Sequence, residues 1–344
     1  LAAVTEPSGQ RRLYLDRCPG ERRGVVELDG RPERLLIERD AEVEVALGAR
    51  YRGRVVAVSA RMGLARLDLG EAVASLKLGR DVALTEGAVV EVEVTAEPGR
   101  GKGAFVAQVA PAEGRLGLLR PAPPLLTRLQ AYAPEIEIVE GDDAREAADE
   151  AQAQALAQEY AFSGGLNLCI EATRALVAVD VDLAETGAHG STWKANLAAI
   201  RQTARLLRLK ALSGLVVIDL IGFPQDKAQA HRAALEAFAP DGHDVVIGPL
   251  SRFGTLELSL PRRRRPLAER LLDGDGQLSA RTIAQAAVRE LERRRLFEAG
   301  SRLAATCTPE VAAALRPLVA DLGPMFQVRE AGGAARASPD ISTV

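Results

Sequence analysis

Ala175-Leu176-Val177-Ala178-Val179-Asp180-Val181 and Leu215-Val216-Val217-Ile218-Asp219-Leu220-Ile221 are two short apolar runs, each interrupted by a single aspartate. Between them, Trp193 to Lys210 places Trp193, Leu197, Ile200, Ala204 and Leu207 on one helical face, and Ser213-Gly214 ends the helix. Strand, amphipathic helix and strand read as a parallel βαβ unit, with both strands buried. Asp180 and Asp182 are two apart, so a strand points both to one face, and Asp219 comes late in the second strand. In an open parallel sheet ligands gather outside the carboxyl ends of strands, so the three carboxylates are expected at one rim. Clustered carboxylates repel unless a cation joins them. Oxygen donors without neighbouring His or Cys favour Mg²⁺, with Mn²⁺ as the substitute.

Basic residues surround this unit. Arg201, Arg205, Arg208 and Lys210 lie on the crossover helix, Arg252 lies in Ser251-Arg252-Phe253-Gly254, and Arg262-Arg263-Arg264-Arg265 stands between two prolines. Carboxylates able to hold a metal, within reach of arginine clusters, describe a site for phosphodiester chemistry. The bland readings are strand-end aspartates acting as caps and arginines forming a solvated face.

Before the unit, residues 11–39 alternate apolar and polar around Asp29-Gly30, a hairpin signal. About five short strands between residues 41 and 120 suggest a small barrel of OB type. Glu97-Pro98-Gly99-Arg100-Gly101-Lys102-Gly103 looks like a phosphate loop but lacks Ser or Thr after the lysine and sits between strands; it reads as a hairpin turn presenting Lys102 to a phosphate. Pro121, Pro123 and Pro124 mark a boundary, and residues 135–159 form an acidic, partly helical stretch with a solvated face. After the unit come a helix over 227–239, strands over 244–247 and 255–260, a helix over 278–298, a small α/β tail, and disorder from about Gly332.

Composition limits the function classes. The 344 residues carry a net charge of −3, which excludes a uniformly basic coat protein but allows a local basic groove. Aromatic residues are only 3% of the chain, so base-stacking platforms are scarce. The three cysteines, Cys18, Cys169 and Cys307, are far apart and argue for packed thiols in a reducing cytoplasm rather than a disulfide or zinc scaffold. His189 reads as a polar loop residue. No apolar run is long enough for a membrane span, and no signal-peptide pattern opens the chain.

Ser163-Gly164-Gly165-Leu166-Asn167-Leu168-Cys169-Ile170-Glu171-Ala172-Thr173-Arg174-Ala175-Leu176-Val177-Ala178-Val179-Asp180-Val181-Asp182 resembles the signature of the ribonuclease E/G family. The resemblance continues through Ala195-Asn196-Leu197, Arg205 to Lys210, Gly214 to Leu220 and Ser251-Arg252-Phe253-Gly254. It implies an α/β multidomain fold. Its parts are a discontinuous RNase H-like subdomain over 1–40 and 121–173, an inserted OB-fold RNA-binding domain over 41–120, and a DNase I-like catalytic subdomain over 174–270. A small C-terminal domain over 271–331 and a disordered tail over 332–344 complete it.

The resemblance also implies Mg²⁺ ligands at Asp180 and Asp219. Asp182 stands where the family has an asparagine, and Arg252 is the arginine of the catalytic cleft. Lys102, Arg252, Arg208, Lys210, Arg263 and Arg264 are the expected RNA contacts. Arg66 and Ser75 occupy the positions of RNA-contacting aromatics, so stacking is expected to be lost. The segment that senses a 5′-monophosphate and the zinc-link cysteines have no counterpart; a homodimer stays open, a zinc-linked tetramer does not.

The expected activity is a cytoplasmic Mg²⁺-dependent endoribonuclease. It would cleave single-stranded RNA by attack of metal-activated water on phosphorus, leaving 5′-phosphate ends. The alternatives are a non-catalytic RNA-binding or ribosome-associated protein on a degenerate nuclease fold, and a nuclease acting on DNA.

Overall fold

The computed structural model describes residues 9–40, 45–79, 84–99, 101–184, 192–222, 227–298, 300–320, 322–333 and 339–344. His189 lies outside them. Strands β1 (Arg11–Cys18), β2 (Glu21–Leu28) and β3 (Arg31–Arg39) form an antiparallel meander. Asp29 and Gly30 both adopt positive φ, 52° and 71°, the backbone that a tight two-residue hairpin demands.

The next strands are β4 (Arg50–Ser59), β5 (Leu64–Asp68), β6 (Val73–Lys77), β7 (Val89–Ala96) and β8 (Ala104–Pro111). They pair in the order β5-β6-β8-β7-β4, and β4 pairs back to β5, so the sheet closes into a five-strand, OB-like barrel. Alternation fills it: Val55, Leu67, Leu76, Val92 and Val106 point inward and are buried. β9 (Gly117–Arg120) adds to the outside of β4.

Helix α1 (Leu125–Gln130) leads to β10 (Ile138–Val139), which pairs in parallel with β1. Chain on either side of the barrel thus meets in one four-stranded sheet. Helix α2 (Asp142–Leu156) buries five alanines, Ala144, Ala147, Ala148, Ala151 and Ala155, which let it pack closely against that sheet. Its acidic residues lie on the other side, apart from Asp149, which pairs with Arg23 at 2.7 Å.

The second large sheet uses β11 (Glu159–Ala161), β12 (Leu166–Ala172) and β13 (Val177–Leu183), then crosses through α3 (Thr192–Lys210) to β14 (Gly214–Asp219). Helix α4 (Lys227–Phe238), β15 (Val246–Ile247) and β16 (Thr255–Leu260) complete it, in the order β11-β12-β13-β14-β16-β15. Only β13 and β14 are parallel; every other pair is antiparallel. The βαβ unit is therefore present, inside a mixed rather than a parallel sheet.

The expected division between residues 173 and 174 is corrected. β12 and β13 pair over seven residues each, joined by a turn in which the Thr173 N–H donates to Leu176 O at 2.9 Å and the Leu176 N–H donates to Thr173 Oγ1 at 3.1 Å. Residues 159–172 thus belong to the second sheet. The two sheets also share one core, in which Tyr14, Val25 and Leu35 join Val179, Ile200 and Ile218 through α2.

Helices α5 (Leu267–Leu271) and α6 (Ala280–Phe297), strand β17 (Leu303–Cys307), α7 (Pro309–Ala320), β18 (Phe326–Glu330) and β19 (Asp340–Thr343) end the chain. β17, β18 and β19 form a three-stranded sheet with its own core. Here the expected disordered tail is also corrected: residues 340–343 pair with β17, and Ile341 is buried. This unit is clamped to the first sheet by buried charges, with Glu21 bonded to Arg39 at 2.7 Å and to Arg289 at 2.6 Å. Among the described residues, no helix is long and apolar enough to cross a membrane.

Candidate active site and nucleic-acid interface

In the second sheet Val177, Val179 and Val181 face the core beneath α3, while Asp180 and Asp182 face solvent. The same alternation buries Val216 and Ile218 and exposes Asp219. Asp180 and Asp219 are paired residues of the parallel β13–β14 ladder, so they stand side by side on one face. Adjacent strands lie about 4.8 Å apart, which leaves both carboxylates free to reach one cation.

Two expectations change. Asp219 ends β14 as expected, but Asp180 is the fourth residue of a seven-residue strand, so the pair stands on an open sheet face and only Asp219 is at a strand end. Neither aspartate is buried. Asp182 shares the face, but its carboxylate accepts the Leu183 N–H at 2.7 Å. Among the described residues, no three Asp, Glu, His or Cys side chains converge as a metal-binding group. The donor set is thus a carboxylate pair, which fits Mg²⁺, an ion that keeps several waters and takes one or two carboxylates.

One row of side chains crosses this face, in register from Glu159 through Cys169, Asp180 and Asp219 to Thr255. Burial raises the Cys169 thiol pKa, and Glu171, Glu159 and Asp180 raise it further, a sign of an electronegative surface. The turn before β16, which leads into Thr255, carries Arg252. Ser251 Oγ holds that turn, accepting from Phe253 N at 3.1 Å and lying 2.7 Å from Thr255 Oγ1. Gly254 has φ 91°, and a Cβ there would come within 3.1 Å of the Gly222 carbonyl oxygen. Glycine therefore seats the turn against the segment following Asp219, with Arg252 exposed and its guanidinium 4.8 Å from the Phe253 ring.

Sequence reasoning assigned Asn196 no role. From α3 its Nδ2 donates to Ile221 O and its Oδ1 accepts from Ile221 N, both at 3.0 Å. A buried amide thereby fixes the backbone two residues beyond Asp219.

The expected RNA contacts divide. Lys102 is exposed at the tip of the β7–β8 hairpin, closed by mutual Gly99–Lys102 backbone bonds of 3.0 Å. Arg263 is exposed and pairs with Asp244 at 3.0 Å. Arg208, Lys210 and Arg264 are corrected, because each is occupied inside the fold. Arg208 pairs with Glu33 at 2.9 Å and Asp241 at 2.7 Å. Lys210 Nζ donates to the Ala155 and Ala157 carbonyls, capping α2 with a cation where a helix leaves acceptors unpaired. Burial lowers its pKa to about 8. Arg264 bonds Tyr132 Oη at 2.9 Å, and burial lowers its pKa.

The arginine run is instead a clamp on the barrel. Arg262 donates to Gly99 O at 3.2 Å and Gly103 O at 2.7 Å, and Glu97 Oε2 accepts from Arg265 N at 2.9 Å. Between clamp and barrel lies a cavity of about 610 Å³ that includes Lys77, Lys102, Phe105, Arg262 and Arg263. Arg66, Ser75 and Phe105 are consecutive register partners across β5, β6 and β8. The positions expected to be without aromatics thus adjoin Phe105, whose ring lies 5.3 Å from the Arg262 guanidinium. Phe105 is half-buried in an ordinary apolar strand, where nothing in the sequence marked its place beside these positions.

A mixed α/β protein with a closed barrel docked beside a sheet that carries paired aspartates is the class these observations define. Residues 122–265 match the sequence model of the Ribonuclease E/G family. Ribonuclease E of Haemophilus influenzae is 34% identical over 121 residues, 33% of this chain and 13% of that protein. Ribonuclease E of Escherichia coli is also 34% identical over 121 residues, 33% of this chain and 11% of that protein. The chloroplastic Ribonuclease E/G-like protein of Arabidopsis thaliana is 33% identical over 121 residues, 32% of this chain and 12% of that protein. The matched stretch therefore spans about an eighth of the length of these relatives.

Proposed function

We infer that this chain is an endoribonuclease that uses Mg²⁺ and cuts single-stranded RNA on the open face of the second sheet. The observation that carries the reading is the side-by-side placement of Asp180 and Asp219, with the Arg252 turn packed beside the latter. The names of the relatives agree with it. Asp180 and Asp219 would hold the ion; when bound, it neutralises phosphate charge and lowers the pKa of water. Arg252 offers fixed donors to the charge that grows on the phosphoryl oxygens in the transition state. Asn196 orients the segment after Asp219, and Lys102, Phe105 and Arg263 hold the strand on the barrel side. Hydrolysis in this arrangement leaves a 5′-phosphate and a 3′-hydroxyl.

The test is incubation of a single-stranded RNA with and without Mg²⁺, comparing wild type with Asp219→Asn. The expected result is cleavage that needs the ion and falls at least about a hundredfold in the variant, about 2.7 kcal/mol of transition-state stabilisation, while RNA affinity is kept. Undiminished cleavage by the variant would refute the assignment. The openness of the face favours a second reading, RNA binding without chemistry, which predicts binding and no cleavage in either protein.

A further inference from the structure

Behind the second sheet, on the far side of α3 from the aspartates, lies a separate cavity of about 660 Å³. The β2–β3 hairpin, α3 and the end of α4 enclose it. Arg31, Arg201, Arg205 and Arg208 line it, with Asp29 and Glu236 as the acidic groups.

Arg201, Arg205 and Arg208 are spaced four and three apart on one helix, so they crowd a single face, and like charges so placed repel. Arg208 is neutralised by Glu33 and Asp241. The other arginines are not. Arg205 is buried without a carboxylate: it donates to Pro32 O at 2.7 Å, Gln154 Oε1 at 3.1 Å and Gln202 Oε1 at 2.9 Å. Burial and the nearby Arg31 and Arg208 lower its pKa to about 10. Arg31 is exposed and rests over Phe162, 5.9 Å from the ring centre. Among the described residues, no carboxylate lies within ion-pairing distance of Arg31, Arg201 or Arg205. Asp29 Oδ1 is already taken by the Gln10 N–H at 3.0 Å.

We propose that Arg31, Arg201 and Arg205 form a binding site for a phosphoryl group, distinct from the aspartate face. Three guanidiniums outnumber the two carboxylates that line the cavity, Asp29 and Glu236. Their planar forks suit a tetrahedral oxyanion that accepts from several directions. A bound phosphoryl group removes the repulsion along α3. Two sources share this chemistry, the backbone of a polynucleotide and a free phosphorylated compound. The site stands whether or not the aspartate face cleaves RNA.

The experiment compares wild type, the double variant Arg31→Ala/Arg201→Ala, and the control Arg316→Ala. Arg205 is kept because it bonds the fold from inside. Pyrophosphate binding is measured by calorimetry, and binding of a single-stranded RNA oligonucleotide by anisotropy over a salt series. The expected result is a loss of pyrophosphate affinity of about tenfold or more in the double variant only. If the RNA slope of log K against log salt also flattens by about 1.4, two contacts at roughly 0.7 each, the source is a polynucleotide. If only pyrophosphate binding weakens, the source is a free phosphorylated compound. A double variant that matches the control in both titrations overturns the site. Arg31→Lys/Arg201→Lys, which keeps the charge, should recover much of the affinity.

Discussion

Replacing Lys210 by methionine should alter how stability depends on pH without weakening RNA binding. The Lys210 amine is buried at the C-terminal end of α2, where its donors meet the Ala155 and Ala157 carbonyls, and no carboxylate accompanies it. Burial brings its pKa from 10.5 in the unfolded chain to about 8 in the folded one. Below pH 8 both states are protonated, and the cost of the buried charge is fully present. Between about pH 8 and 10.5 the unfolded chain binds this proton and the folded chain does not, so stability rises with pH. A displacement of about 2.5 pH units corresponds to roughly 3 kcal/mol. Urea unfolding of both proteins from pH 7 to 10.5 isolates the effect, because other titrating groups cancel in the difference. Wild type should gain about 3 kcal/mol relative to Lys210→Met across that interval. Parallel curves, or a reversed slope, would show that the amine keeps an ordinary pKa and that the buried placement is wrong.

Arg208→Met should destabilise the chain by about 3–5 kcal/mol, because it strands the buried Glu33 carboxylate; denaturant titration measures it. Asn196→Ala should lower kcat for RNA cleavage by about tenfold or more while KM stays nearly constant, since it frees the backbone beyond Asp219 without touching substrate. Steady-state kinetics normalised to the folded fraction from circular dichroism or active-site titration separate this from a general loss of folded protein, which also lowers apparent kcat at constant KM. Phe105→Ala should weaken binding of single-stranded RNA by about 1–3 kcal/mol with little change in salt slope, whereas Lys102→Ala should flatten that slope by about 0.7.

The elements that sequence reading located best are those whose periodicity is long and clean. The crossover helix bounded by Trp193 and Lys210 falls within a residue of α3, and the Asp29-Gly30 turn is where two positive φ angles occur. Short β6, Val73–Lys77, has too little pattern to stand out. The open sheet face was missed because Ala178 and Val217 give no polar alternation, so strands covered on one side read as covered on both. The arginines misled for a different reason. A guanidinium that will meet Tyr132, or the carbonyl of Gly99, looks in sequence like one that will meet phosphate. Its partner lies more than a hundred residues away, and only the tertiary fold brings them together.

Strand β16 begins at Thr255, in register with Asp219, and runs directly into the arginines that grip the barrel hairpin. Six residues at roughly 3.4 Å each make it a stiff rod of about 20 Å. One end is anchored beside the carboxylates and the other beside the ring of Phe105. A chain threaded between them would be cut at a constant distance from the base held at the barrel. The protein would then act as a ruler, with its reading set by strand length and unaffected by RNA sequence. Mapping cut positions on RNAs with a single cross-linked base at the barrel would reveal the offset.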